Sequence, residues 1–199
     1  MLKRFAIQNC SPKSTPLPPG LVLSSDDCPN TPEEHKEMNK TPYQEALGSL
    51  MWLQVATQPD LSYTVGLLFR FAYNPGQTHW NTIKHALVYV KGTTHYGITY
   101  KGNTDLNHIG YVDSDFAGCQ DTCCSTEGNI FLVAGEPVFW ESKRQETIAL
   151  LTVEAEYMAF SRATTQALWI TKYLHEVGVM ETLDSTELFM EDQTWLDYL

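Results

Sequence analysis

The sequence predicts an α+β chain: a helical N-terminal segment, then a mixed sheet of an antiparallel three-strand meander, a helix and a parallel strand. Three observations carry this. Apolar residues recur at three and four between residues 41 and 93, with proline and carboxylates at the starts of the runs. Two short apolar runs, residues 130–134 and 138–140, flank Gly135-Glu136-Pro137 as the arms of a hairpin do. A long helical pattern over residues 153–177 precedes an apolar run at 186–190, and a strand reached through a helix normally lies parallel.

In chain order, residues 1–31 read as a flexible tail or linker. Pro12, Pro16, Pro18-Pro19-Gly20 and Ser24-Ser25-Asp26-Asp27 interrupt any period, so extended backbone is expected. Residues 32–107 read as a helical segment. Pro32 with Glu33-Glu34 suits a helix start, since proline fits the first turn and carboxylates favour its positive end. Thr41 is the expected cap of a second helix, with Pro42 first and Leu47, Leu50, Met51 and Val55 on its stripe. Leu61, Val65, Leu68 and Phe71 share the face of a third helix, and Asn74-Pro75-Gly76 turns the chain. Ile83, Leu87 and Val90 line a fourth, stopped near Gly92. Helical spacing assigns Trp52, Trp80 and the two histidines of this region to packing. Residues 96–100 look like a short strand.

Residues 108–199 form the second part. A strand from His108 ends in Asp113-Ser114-Asp115; the loop from Phe116 leads to the hairpin. The long helix follows, with Ala155, Ala159, Ala163 and Leu174 on one side and Gly178 after it. The last strand closes on Glu191-Asp192.

Charge is unevenly placed. Residues 1–107 hold 9 Lys+Arg against 8 Asp+Glu, whereas residues 108–199 hold 4 against 16. The second part is therefore strongly acidic, which opposes binding of nucleic-acid phosphates. No run approaches the roughly 18 apolar residues of a membrane span, so no membrane partner is expected. Cysteines number five, an odd count, and Cys119, Cys123 and Cys124 lack a following histidine pair. Reduced thiols in an intracellular compartment, cytoplasm or nucleus, are expected rather than a zinc site.

Acids at the tips of strands and at a facing helix start can converge on a divalent metal, which prefers carboxylates and water. Here the acids are Asp113 on the first strand, Glu156 near the helix start, and Glu191 or Asp192 after the last strand. A Gly-rich phosphate loop and a Ser-His-acid arrangement are both absent from the sequence.

Six blocks make the chain recognisable: YQEALGSLMWLQVATQPDLSYTVG, NPGQTHWNTIKHALVYVKGT, IGYVDSDFAG, STEGNIFL, WESKRQ and TVEAEYMAFSRA. Together they resemble the C-terminal part of the Pol polyprotein of copia-type LTR retrotransposons. The resemblance implies that the helical segment corresponds to the thumb and connection region of a reverse transcriptase. It implies that residues 108–199 are an RNase H-like α/β domain, C-terminally incomplete, which in the family cuts the RNA strand of RNA–DNA hybrids with Mg²⁺ or Mn²⁺. Asp113 then matches the first metal-binding aspartate and Glu156 the helix glutamate. Glu191 matches the third acid, with Asp192 where asparagine is usual; the fourth acid would lie beyond Leu199. Glu154 reads as a partner of the helix dipole. Cys123-Cys124 stand where such elements usually carry Arg-Arg, and Gln58 where they carry Arg, so impaired activity in a decayed copy is expected. The alternative is a non-catalytic remnant or protein-interaction module. An uncovered edge strand would favour self-association.

Overall fold

A computed structural model describes residues 1–101, 107–179 and 186–190. The chain divides into two compact units, Met1–Gly97 and Ile98–Leu199.

The first unit is helical: α1 (Pro32–Met38), α2 (Tyr43–Ala56), α3 (Ser62–Phe69) and α4 (Gln77–Gly92). Thr31 caps α1 by accepting from the Glu34 amide, while the Glu34 carboxylate accepts from the Thr31 amide in return. Thr41 does not cap α2. Its hydroxyl donates back to the Met38 carbonyl at 2.7 Å, and Pro42 occupies the cap position without a side-chain bond. The expected stripe on α2 is rotated: Tyr43, Ala46, Leu47 and Leu50 are buried, while Met51, Val55 and Trp52 (73% exposed) face solvent. A helix apolar on most sides gives its period no unique inward face, and Trp52 is therefore not a packing residue. The apolar faces expected for the third and fourth helices match the described core, whereas His85 is only half-buried. Leu61, Val65, Leu68, Phe71, Ile83, Leu87 and Val90 are all buried. His79 is fully buried, stacked on Phe71 at 4.0 Å, with Nδ1 accepting from the Gly76 amide.

Residues 1–31 depart from the expected tail. Ile7 and Leu23 are buried in the helical core, and Leu2, Phe5, Leu17 and Leu21 pack against it. Polar ties add to this packing: Arg4 pairs with Glu45, Lys91 donates to the Cys10 carbonyl, and His85 bonds the Thr15 carbonyl at 3.0 Å. Isolated apolar side chains between prolines bury surface without regular structure, which a periodicity reading does not register.

The second unit holds β1 (His108–Asp115), β2 (Thr126–Val133), β3 (Glu136–Arg144), α5 (Thr152–Glu176) and β4 (Glu187–Met190). Sheet order is β3-β2-β1-β4; β1 is antiparallel to β2, β2 to β3, and β4 parallel to β1. This is the mixed meander-plus-parallel-strand sheet expected from sequence. α5 packs on one face, where Ala159, Ala163, Ala167 and Ile170 meet Val112, Phe131 and Met190. Small alanines let the helix approach the sheet closely. Gly110 serves the same fit, since a Cβ there would come within 2.7 Å of Phe131 and 2.6 Å of Leu188. Residues 96–100 form no strand; the Tyr100 hydroxyl instead donates to the Pro137 carbonyl on β3 at 2.8 Å. Glu191, Asp192 and residues 195–199 lie outside the described residues, and β4 is an outer strand among those described.

Candidate active site

Alternation along β1 decides where its acids go. Val112 and Ser114 are buried on the face that α5 covers, so Asp113 and Asp115 stand on the other face, both exposed. Asp115 holds its proton more tightly than an ordinary carboxyl, mainly through burial and secondarily through the negative charge of Asp113. Its carboxyl folds over Gly118, where any Cβ would fall 1.8 Å from an Asp115 oxygen. Ala117, with φ of 55°, completes this turn, and its amide donates to the Ser125 hydroxyl.

Glu156 comes from the other side. It lies one residue past the first turn of α5 and is 7% exposed. α5 runs antiparallel to β1: Thr171 meets His108 at the beginning of the strand, 3.1 Å apart. Arg162 reaches Glu127, which pairs with Ser114 near the strand's end. Asp113 and Glu156 thus reach the same end of the sheet from opposite faces. Glu154 receives a hydrogen bond from the Leu150 amide at 2.6 Å, the helix-start role expected for it. Among the described residues no group of three His, Cys, Asp or Glu side chains has the geometry to hold a metal ion. The donor set described here does not fit a two-metal centre, and Glu191 and Asp192 lie outside it.

Beneath the start of α5 lies a polar seam that pattern reading missed. Glu127 (5% exposed), Ser114, Asn129, Gln145 and Glu156 are all buried. Arg162 is 3.1 Å from Glu127 and 3.7 Å from Glu141. Burial raises the Glu127 carboxyl above its usual range despite Arg162 and a Gln145 hydrogen bond, which pull the other way. Gln145 also donates from Nε2 to the Ala155 carbonyl at 2.8 Å, and its amide donates to the Ser125 carbonyl at 2.8 Å. One residue therefore ties the loop after β1, strand β2 and the first turns of α5. Ser114 Oγ, Asn129 Oδ1 and Gln145 Oε1 find no hydrogen-bond partner among the described residues. The only sequence signal was Glu127 and Asn129 alternating with the apolar residues that follow them, at the polar beginning of a strand.

Comparison with known proteins completes the picture. The chain is 41% identical over 179 residues, 90% of its length, to the retrovirus-related Pol polyprotein from transposon TNT 1-94 of Nicotiana tabacum. It is 34% identical over 181 residues to that of transposon RE2 of Arabidopsis thaliana. It spans about an eighth of these polyproteins, 13% and 12% of their lengths. Over 134 residues it is 42% identical to the Secreted RxLR effector protein 161 of Plasmopara viticola, covering 67% of this chain and 94% of that protein. No protein-family model and no solved structure matches. Among the described residues no helix is long and apolar enough to cross a membrane. With similarity of this level running through nearly all of its length, the chain belongs to the retrovirus-related Pol polyproteins of copia-type transposons.

Proposed function

We propose that the second unit is an RNase H-like module whose ancestral reaction is hydrolysis of the RNA strand of RNA–DNA hybrids, impaired in this chain. The observation that carries the reading is the element order β1-β2-β3-α5-β4 in a chain with Pol relatives; Asp113 and Glu156 lie at one end of the sheet, on opposite faces. In this reading Mg²⁺ or Mn²⁺ would be held by Asp113, Glu156, Glu191 and Asp192, and would stabilise charge on the reacting phosphate. The described acids do not make that set, so no step is routed through the metal. Impairment is read from the acidic surface and from Cys123-Cys124 in the loop after β1.

Purified full chain incubated with an RNA–DNA hybrid and Mg²⁺ or Mn²⁺ tests this. Weak cleavage of the RNA strand is expected, falling more than about 100-fold in Asp113→Asn and Glu156→Gln. Cleavage untouched by both substitutions, or none at micromolar protein, removes the enzyme reading.

One observation favours a second reading, a non-catalytic interaction module. The aligned region makes up 94% of the Secreted RxLR effector protein 161, so it stands there as nearly a whole protein. Under that reading the chain shows neither cleavage nor measurable hybrid affinity at low salt, where phosphate contacts are strongest.

A further inference from the structure

The loop between β1 and β2 carries three cysteines, Cys119, Cys123 and Cys124, none of them in a disulfide. They differ in setting. Cys119 is 1% exposed, Cys124 is buried and Cys123 is open to solvent. Two donors converge on the Cys119 sulfur: the Thr122 hydroxyl at 2.9 Å and the Arg144 guanidinium at 3.8 Å. A hydroxyl and a guanidinium directed at the sulfur fix its position in the loop. The backbone turns Cys123 back toward Cys119. Its amide donates to the Cys119 carbonyl at 2.7 Å, and Cys123 takes the left-handed conformation, φ 52°. The Cys119 amide also donates to the Cys124 carbonyl at 3.2 Å, so both cysteines stand beside Cys119, and of the two Cys123 is the one open to solvent. Cys123 and Cys124, as neighbours, have Cα atoms ~3.8 Å apart, below the span of a disulfide.

We infer that Cys123 and Cys119 form a thiol–disulfide pair, with Cys123 as the exposed entry thiol and Cys119 as the resolving thiol, acting on low-molecular-weight disulfides. The Cys123 thiolate attacks one sulfur of the small disulfide, whose S–S bond breaks and releases one thiolate. The Cys119 thiolate then attacks the Cys123 sulfur, and the second small thiolate leaves. Two protein thiols are oxidised to one disulfide, the small disulfide is reduced to two thiols, and the two thiol protons pass to the leaving thiolates. The bridge would clamp the loop that leaves Asp113 and Asp115.

The test uses the full chain with Cys10→Ser and Cys28→Ser, treated with oxidised glutathione, trapped with an alkylating agent and mapped by mass spectrometry. The expected product has lost two hydrogens, carries a Cys119–Cys123 bridge, and retains Cys124 as the alkylated thiol. Adding Cys119→Ser leaves glutathione on Cys123, whereas Arg144→Gln slows bridge closure several-fold. Adding Cys123→Ser, a change at an exposed position, leaves Cys119 and Cys124 both free. The inference is overturned if glutathione stays on Cys123 equally with and without Cys119, or if the bridge joins Cys119 to Cys124.

Discussion

The two units build their interiors by different rules. Seventeen residues, nearly all large and apolar, make the described core of the helical unit, whereas seven make that of the sheet unit, three of them alanine. The sheet unit fills the remaining space under α5 with Ser114, Glu127, Asn129, Gln145 and Glu156. Burying a carboxylate or an amide costs free energy unless partners compensate. The helical unit therefore stands mainly on transfer of apolar surface from water, while the sheet unit depends on a smaller apolar core led by Phe131 and on the pairing of buried polar and charged groups. Sites that use charge are built from the second kind of interior.

The sharpest way to probe this contrast is one deletion in each core. Phe131 is the largest fully buried side chain among the described residues and packs in the core with α5 and the Phe139 ring, whose centroid is 6.0 Å away. Phe131→Ala is expected to cost about 3–5 kcal/mol. Leu50→Ala, equally buried but removing a smaller side chain, is expected to cost about 2–4 kcal/mol. Urea unfolding measures both. A Phe131→Ala cost under about 1 kcal/mol would mean that the small sheet core is not what holds α5 in place.

Next in size is Arg162. Its guanidinium is about one-third exposed, so the pair with Glu127 is not fully dry. Arg162→Met strands a buried carboxylate, and a loss of about 2–3 kcal/mol is expected, below the full value for a dry pair. Combining it with Glu127→Leu is expected to recover most of that loss, because an apolar pair removes the stranded charge. If the double substitution is as unstable as Arg162→Met alone, the seam is not an ion-pair device.

How much of this was legible beforehand follows from the same physics. The order of elements, the mixed sheet and the alanine face of α5 follow from periodicity, because most elements have one apolar side. Asp113 and Glu156 were legible as residue types at strand and helix ends. Their faces were not, because an acid at a strand tip reads the same whichever way alternation turns it. The strand carrying Glu127 was read only from its apolar part, residues 130–134, since pattern reading places polar residues outside. Ile7 and Leu23 were missed for a related reason: a single apolar residue between prolines has no period. Trp52 was assigned inward because an all-round apolar helix offers several equally good stripes.

The smallest expected effect separates the units by pH. Burial raises the folded-state pKa of Glu127 above its reference value of 4.5. A carboxyl that binds its proton more tightly when folded adds stability while protonated, and that contribution is lost as the pH rises from the unfolded value through the folded one. Wild type is therefore expected to lose stability relative to Glu127→Gln as the pH climbs from about 4.5 through the raised folded value, and to hold a constant offset above it. Asp115, raised from 3.8 by burial and by Asp113, works in the same direction from a lower starting pH. Urea titrations of wild type and Glu127→Gln between pH 4 and 8 read the difference directly. A difference that stays flat with pH, or that grows in favour of wild type, would show that Arg162 and Gln145 outweigh burial and that Glu127 is charged in the folded protein at every pH above its reference value.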